Sequence, residues 1–265
     1  MSNDIDDYLA RKTIYDKPQT VATYRRYLED FRRVCGDNVT FDVVVVWTEY
    51  LRERYSEKTV QFVVGVTKGY LSFCQKNGAD IDAQEIRIPR ARVNSYEPIT
   101  AEEYVAMLSH VRADCLQGLR DNVILRTLYD TGARVDEIAT IEREGIDLVS
   151  RTAEIWTEKT TEKRLIMWGK ATNDFLKVYL SVSFGRPFPT KRTIERRVRY
   201  YATLAGVKKR IVPHSFRHGK AHRILDTGGT VKDIQVALGH NAPESSFRYL
   251  RLNRAERMKR LDKFV

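Results

Sequence analysis

The chain has 265 residues, with 46 Lys and Arg against 35 Asp and Glu, which gives a net charge of +11. At roughly 150 residues per domain, this length predicts one or two domains, each able to bury a hydrophobic core. Hydrophobic residues make up 42% of the chain and charged residues 31%, with only 14 Gly and 7 Pro. This composition excludes collagen-like, low-complexity and membrane-spanning proteins, so a soluble globular protein is expected.

The N-terminus and the cysteines indicate a cytoplasmic protein. The first ten residues are acidic rather than signal-like, and no apolar run approaches the roughly 18 residues that cross a bilayer. Cys35, Cys74 and Cys115 are odd in number and form no CxxC pair, which is typical of reduced thiols. We therefore expect no membrane-spanning segment.

The positive charge is concentrated in one part of the chain. Residues 1–98 carry 15 basic and 15 acidic side chains, whereas residues 186–223 carry 12 basic residues and a single acid, Glu195. A block of this kind predicts a polyanionic partner, namely DNA, RNA or an anionic membrane surface. A solvated basic face is the alternative.

The N-terminal part predicts a small helical bundle. Apolar residues recur every three or four positions over residues 20–35, and similar patterns follow over 43–55 and 59–76. We therefore predict a helical, DNA-binding domain over residues 1–85, with its bundle at about 12–80. Arg25 and Arg26 are candidate phosphate contacts, although a solvent-facing stripe explains them equally well.

Residues 86–98 lack helical periodicity and contain Pro89, Arg90, Arg92 and Pro98. This composition predicts an extended basic linker between two domains. Arg90 and Arg92 are candidate DNA contacts. The second domain then covers residues 99–265.

The second domain is expected to be mostly helical. Thr100 and Glu103 form a capping-box pattern, and a helix over 121–130 ends at Thr131-Gly132, with another starting near Ala133. Residues 146–148, 152–157 and 163–168 predict a small antiparallel sheet. Helices are predicted over 190–205, 215–227, 230–238 and 244–252.

Two interpretations explain only part of the basic C-terminal region, residues 99–265. His214, His218 and His222 share one helical face, as zinc ligands could, but no HExxH pattern or acidic ligand pair lies nearby. We therefore expect no metal. Residues 230–249 have a helix, a glycine turn and a helix, the pattern of a helix-turn-helix reader of DNA, which is also common in plain helical cores.

A third interpretation explains residues 99–265 as a whole. Five motifs occur in order: Thr131-Gly-Ala-Arg134-Val-Asp-Glu137, Lys159 at a hairpin tip, His214-Ser-Phe-Arg217, Leu238-Gly-His240, and Tyr249. Together they resemble the tyrosine recombinase family, the lambda-integrase-like and Xer-like DNA recombinases. The resemblance implies a mainly α fold: an N-terminal SAM-like core-binding bundle and a C-terminal mixed α/β, mostly helical catalytic domain with a small antiparallel sheet.

The resemblance also implies the chemistry, which is DNA cleavage and rejoining through a covalent 3′-phosphotyrosine without metal or cofactor. Tyr249 matches the nucleophile, and Arg134 and Arg217 match the pair that binds the scissile phosphate. His214 and His240 match the two histidine positions. Lys159 matches the hairpin lysine, for which Lys163 and Lys170 compete, while Glu137 matches an acidic residue that supports the site.

These residue types suit the reaction on physical grounds. A tyrosine hydroxyl has a pKa near 10, so a base or local positive charge must assist its attack. Two guanidiniums can stabilise the negative charge that develops on the phosphate oxygens, and a lysine can protonate the leaving 5′ oxygen. Further DNA contacts are expected from the basic block, at Lys191, Arg192, Arg196, Arg197, Lys208, Lys209 and Arg210.

The expected partner is double-stranded DNA, clamped between the two domains, and no membrane partner is expected. By resemblance, the protein works as a homo-tetramer on two DNA sites, is a monomer or dimer when free, and associates with the nucleoid. A tail helix from about residue 253 carries Met258, Leu261 and Phe264 at three-residue steps. We predict that it docks on a neighbouring subunit, the alternative being packing in cis.

Three alternative functions stay open at this point. The first is Xer-like resolution of replicon dimers instead of integration of a mobile element. The second is a helix-turn-helix regulator without catalysis. The third is a nicking and closing enzyme like the type IB topoisomerases.

Overall fold

The computed structural model describes residues 4–36, 40–91, 96–157 and 162–239. The chain divides into two compact units, Met1–Asn94 and Ser95–Val265. The boundary between them falls inside the segment 86–98 that the sequence predicts as a linker. Within the described ranges the structure is mostly helical with one three-stranded antiparallel sheet, which confirms the expected fold class.

The first unit is a helical bundle. Its helices are α1 (Asp4–Thr13), α2 (Pro18–Cys35), α3 (Phe41–Arg54) and α4 (Glu57–Lys76). Pro18 opens α2, where its missing N–H costs no hydrogen bond, and the Ser56 side chain caps α4 by accepting the Thr59 N–H. The bundle core is aromatic and aliphatic, with Trp47 and Phe31 fully buried and packed edge to face.

The sequence did not predict α1. Its Ile5, Tyr8 and Leu9 are buried against the bundle and follow the spacing of one helical turn. Tyr8 lies edge to face with Tyr70 of α4 at a centroid distance of 5.7 Å. The acidic N-terminal segment is therefore part of the core of the first unit.

The second unit contains seven helices and the sheet among its described residues. The helices are α5 (Ala101–Ser109), α6 (Leu116–Thr131), α7 (Val135–Ala139), α8 (Lys170–Val182), α9 (Lys191–Leu204), α10 (Pro213–Asp226) and α11 (Val231–Leu238), with a short 3-10 helix at Arg143–Gly145. The capping box at Thr100 and Glu103 is confirmed, since both reciprocal hydrogen bonds are present. The helix over 244–252 lies outside the described residues.

The sheet consists of β1 (Ile146–Asp147), β2 (Thr152–Thr157) and β3 (Glu162–Met167) in the order β1-β2-β3. Ala153 pairs with Ile166 and Ile155 pairs with Arg164 in the β2-β3 register. These residues alternate with exposed Trp156, Leu165 and Met167, so one face of the sheet packs on the core.

Helix α8 is the second element that the sequence did not predict. Polar groups help to fix it: Asp130 accepts hydrogen bonds from the Gly169 N–H at 2.8 Å and the Thr172 hydroxyl at 2.6 Å. Asn173 bridges the Trp168 indole N–H and the Leu148 carbonyl. These contacts join α6, the residues next to the strands and α8.

Among the described helices, none combines the length and the apolar character that a bilayer-spanning segment requires.

Candidate active site

Arg217 lies in the second turn of α10 and is buried. Its Nη1 donates to the Gly132 carbonyl at 2.9 Å, and its Nη2 donates to the Leu238 carbonyl at 2.7 Å. Both acceptors are at helix ends, one after α6 and one at the end of α11. The guanidinium is therefore fixed by two backbone contacts from separate helices.

Gly132 allows the end of α6 to come this close. Its φ is +60°, the left-handed conformation that ends a helix and favours glycine. A Cβ at this position would lie 2.7 Å from the Leu238 Cδ2 and 3.0 Å from the Lys220 Cβ. Both the conformation and the packing thus require glycine directly before the Ala133-Arg134 turn.

Arg134 precedes the first residue of α7 and contacts Glu137 twice. Its backbone N–H donates to Glu137 Oε2 at 2.8 Å, and its Nη1 donates to Glu137 Oε1 at 2.9 Å. The Arg134 side chain is 30% exposed, whereas that of Glu137 is 3% exposed. One carboxylate therefore orients both the main chain and the side chain of Arg134, which still reaches solvent.

Glu137 has a second arginine partner on the sheet. Arg164 Nη2 of β3 donates to Glu137 Oε2 at 2.7 Å. Burial acts to raise the pKa of the Glu137 carboxyl, but the hydrogen bond and charge of Arg164, followed by the backbone N–H and charge of Arg134, outweigh it and lower that pKa. Glu137 is therefore ionised between two cations.

His214 is exposed in the first turn of α10, and the chain entering the second unit packs beside it. The Tyr96 ring lies edge to face with the His214 imidazole at 5.6 Å. The Ile99 N–H donates to the Ser215 carbonyl at 3.1 Å, and Lys209 Nζ donates to the Pro98 carbonyl at 2.7 Å. This segment is thus attached to the helix that carries His214 and Arg217.

The remaining predicted catalytic residues, Lys159, His240 and Tyr249, lie outside the described residues. The chain places Lys159 in the connection between β2 and β3, and His240 directly after Gly239, the residue that ends α11. His218 is buried on α10. In the described ranges, no three His, Cys, Asp or Glu side chains form a group that could hold a metal ion.

Nine of the eleven predicted DNA contacts fall into two groups. The first group makes ion pairs within the protein: Arg25 with Asp6, Lys191 with Asp136, Arg197 with Asp121, and Lys209 with Glu103. The second group is exposed and comprises Arg90, Arg192, Arg196, Lys208 and Arg210. Arg26 lies over the Tyr27 ring, and Arg92 is outside the described residues.

Arg197 and Asp121 form the most buried of these pairs. The Asp121 side chain is fully buried and accepts from Arg197 Nε at 2.6 Å and from the Tyr201 hydroxyl at 3.1 Å. Arg120 lies 3.2 Å from the other carboxylate oxygen. This network joins α9 to α6, so Arg197 has a structural contact in addition to its predicted contact with DNA.

Arg164 is the site residue that the sequence reasoning missed. A signal for it exists in the strand pattern, because Arg164 and Ile166 lie two positions apart and point to the same face of β3. A charged residue at an inward-facing strand position needs a buried partner. Its partner, Glu137, lies in the motif at residues 131–137.

The described part of the site can bind an anion. Arg217 and the Arg134-Glu137 pair both attach to the turn at residues 132–134, and Arg134 keeps an exposed guanidinium edge. The exposed edge of Arg134, oriented by Glu137, can bind phosphate oxygens, and Arg217 lies buried beside the same turn.

Comparison with known proteins identifies the chain. Residues 97–256 match the phage integrase family. Tyrosine recombinase XerC of Chlamydia trachomatis serovar L2 is 30% identical over 219 residues, covering 76% of this chain and 69% of the relative. The Tn1549 transposon integrase in complex with a circular intermediate DNA has a TM-score of 0.77 at 15% identity, covering 98% of this chain and 99% of that one. A lambda integrase tetramer bound to a Holliday junction has a TM-score of 0.75 at 16% identity, covering 94% of this chain and 76% of that one.

The family match and the fold define an enzyme that acts on DNA, a tyrosine-type site-specific recombinase. The family match spans more than half of the chain, and the chain therefore belongs to the phage integrase family. The function class expected from the five motifs is confirmed.

Proposed function

We propose that this recombinase cuts DNA with Tyr249. The Tyr249 hydroxyl oxygen attacks the scissile phosphorus, and the bond from phosphorus to the 5′ oxygen breaks as the new bond forms. The products are a 3′-phosphotyrosine and a free 5′-hydroxyl. The phosphodiester energy is kept in the protein adduct, so the 5′-hydroxyl of another strand can attack it and rejoin the DNA.

The observation that carries this proposal is the fixed position of two guanidiniums. Arg217 is attached to the Gly132 and Leu238 carbonyls, and Arg134 is attached to Glu137. Both arginines would bind the non-bridging oxygens of the scissile phosphate. Since their positions are set by backbone groups and a buried carboxylate, little rearrangement is needed as charge develops in the transition state.

Proton transfer completes the proposed reaction. His214 or His240 would take the proton of the Tyr249 hydroxyl, and Lys159 would protonate the leaving 5′ oxygen. Support for His214 comes from its exposed position three residues before Arg217 on α10. Support for Lys159 comes from its place in the connection between β2 and β3, whose inward-facing Arg164 contacts Glu137.

We further propose a homo-tetramer on two DNA sites, with the tail from about residue 253 docked on a neighbouring subunit. The support is the shared fold of a lambda integrase tetramer bound to a Holliday junction. Truncation before Asn253 should weaken assembly on DNA more than it weakens folding. Unchanged tetramer formation by the truncated chain would contradict tail docking in trans.

A suicide DNA substrate tests the nucleophile. The wild-type protein should form a covalent adduct with nicked DNA, and Tyr249→Phe should form none. Tyr15→Phe is the matched control, because Tyr15 is an exposed tyrosine in the first unit. A wild-type protein without adduct, or a Tyr249→Phe variant that retains it, would refute the assignment.

Two further assays separate the alternative functions. Formation of a four-way junction from two duplexes would distinguish recombination from nicking and closing of one duplex. Comparing two sites on one plasmid with two sites on separate plasmids would then distinguish dimer resolution from integration.

A further inference from the structure

The Arg164 side chain connects three elements of the second unit. It extends from the inward face of β3, opposite Ile155, and its side chain is 15% exposed. Its Nη2 donates to Glu137 Oε2 at 2.7 Å, and its Nη1 donates to the Ala237 carbonyl at 3.3 Å. A single guanidinium therefore joins the sheet, the start of α7 and the end of α11.

The end of α11 is bound by two arginines from different elements. Arg164 donates a hydrogen bond to the Ala237 carbonyl, and Arg217 donates one to the next carbonyl along the chain, that of Leu238. The last carbonyls of a helix lack partners within the helix and form the negative end of its dipole, so cations stabilise them. These two arginines fix the helix end from which the chain continues to His240.

Gly239 packs directly on the Arg164 side chain. Its φ is +63°, and a Cβ at this position would lie 2.7 Å from Arg164 Cδ and 2.8 Å from Nε. The turn before His240 is therefore shaped around Arg164. A smaller or differently shaped side chain at position 164 would remove the surface on which this turn packs.

The same guanidinium controls the charge balance at Glu137. The Glu137 carboxylate is shared by Arg134 and Arg164, and these are the described charged groups that act on it. Without Arg164, one buried carboxylate would retain only the Arg134 contacts. The pKa of the Glu137 carboxyl group would then rise, and its hydrogen bonds to Arg134 would weaken.

One polar atom of the Arg164 side chain lacks a partner in the described part of the chain. Its Nε is buried and has no hydrogen-bond partner among the described residues. Unpaired buried donors are rare because they are costly, and they recur at functional sites. A role in the site explains why a cation occupies an inward-facing position of β3.

We infer that Arg164 is a positioning residue of this recombinase. It orients Arg134 through Glu137 and fixes the end of α11 that leads to His240. The inference rests on the proposed catalytic roles of Arg134 and His240. Arg164 itself acts through these residues.

The test compares cleavage rates of variants on the suicide substrate as a function of pH. Arg164→Met should lower the rate of adduct formation about tenfold or more at neutral pH, while its DNA affinity changes less than about threefold. It should also gain an acid limb in the pH profile, because Glu137 loses the partner that most lowers its pKa. Adding Glu137→Gln to Arg164→Met should remove that limb, since no carboxyl is left to titrate.

Arg143→Met is the matched control. Arg143 also donates to the carbonyls at the end of a helix, those of Leu180 and Ser183, but it has no contact with Glu137. It should lower the melting temperature and leave the cleavage rate of the folded protein unchanged. Arg164→Lys provides a second variant in case Arg164→Met does not fold. It keeps the charge but reaches only one acceptor, so cleavage should slow without an acid limb.

Three results would refute the inference. The first is cleavage by Arg164→Met or Arg164→Lys within about twofold of the wild-type rate. The second is a slow Arg164→Met variant with no acid limb. The third is an equal loss of cleavage in Arg143→Met. A wild-type protein that forms no adduct would instead refute the proposed function, and the inference with it.

Discussion

Arg217 and Gly132 are joined by a 2.9 Å hydrogen bond from the guanidinium Nη1 to the carbonyl oxygen. The bond connects α10 to the turn that leads, two residues later, to Arg134. The two arginines of the candidate phosphate site are thus attached to one short stretch of backbone. Changes to this turn should therefore affect stability and cleavage together.

Replacing Gly132 with alanine tests the contribution of this turn to stability. Gly132→Ala forces a left-handed residue and a Cβ within 2.7 Å of Leu238 Cδ2, so we expect a loss of about 2 to 3 kcal/mol in the free energy of unfolding. Gly185→Ala is the control, because its φ of +69° imposes the same strain but no atom lies within 4 Å of the added Cβ. Urea unfolding of both variants gives the comparison. Equal losses would show that packing at Gly132 is unimportant.

We predict that cleavage requires the forked guanidinium of Arg217 and not only its positive charge. Arg217→Lys keeps the positive charge but cannot reach the Gly132 and Leu238 carbonyls together, so adduct formation should slow about 100-fold or more. Arg143→Lys makes the same chemical change at the carbonyls of Leu180, Ser183 and Gly185 and should cleave normally. Single-turnover cleavage measures both. Normal cleavage by Arg217→Lys would mean that charge alone suffices.

Acid should destabilise the second unit because it protonates Glu137. Because its pKa is lowered in the folded protein, the ionised carboxylate stabilises the fold above its ordinary pKa of 4.5, and this contribution is lost as the pH falls through the folded value. Glu137→Gln should lower stability at neutral pH, and its difference from the wild type should shrink in acid. Melting temperatures from pH 7 down to about pH 3 would show this. A difference independent of pH would contradict it.

Arg197 and Arg196 are neighbours with different expected roles. Removing Arg197 leaves the fully buried Asp121 with fewer partners, so Arg197→Met should cost about 3 kcal/mol of stability. Arg196 is exposed, and Arg196→Met should change stability by less than about 0.5 kcal/mol while weakening DNA binding. Thermal unfolding and a DNA titration of both variants separate the roles. A stable Arg197→Met protein would show that the Asp121 network contributes little.

DNA binding should depend strongly on salt. The net charge of +11 equals the excess carried by residues 186–223, and neutralised phosphates release counterions. About six phosphate contacts would lower affinity roughly 1,000-fold between about 50 and 200 mM salt. Titrations of DNA at several salt concentrations measure this slope. An affinity that stays flat would exclude the basic block as the main contact.

Sequence patterns predicted most helices and all three strands because apolar spacing and caps are local signals. Helix α8 was missed because Thr172 and Asn173 are among its buried residues, which weakens the apolar repeat. Their partners, Asp130 and Trp168, are known only from the fold. Helix α1 was missed because its apolar residues cover little more than one turn of an acidic segment.

The site was predictable as a set of motifs but not as a network. The motifs identify Arg134, Glu137 and Arg217, whereas the bond from Arg217 to Leu238 joins residues 21 positions apart. Arg164 lies 27 positions after Glu137, and no local spacing links the two. Pairings of this kind depend on how the sheet and helices pack, which the sequence patterns do not specify.

The attachment of Ile99 and Pro98 has a mechanical consequence. Only a few residues after the boundary between the units, the chain is hydrogen bonded to Ser215 on α10 and to Lys209 just before it. A displacement of residues 98 and 99 would therefore be passed to the helix that carries His214 and Arg217. Substitutions in this entry segment are expected to change the cleavage rate even though they lie outside the catalytic motifs.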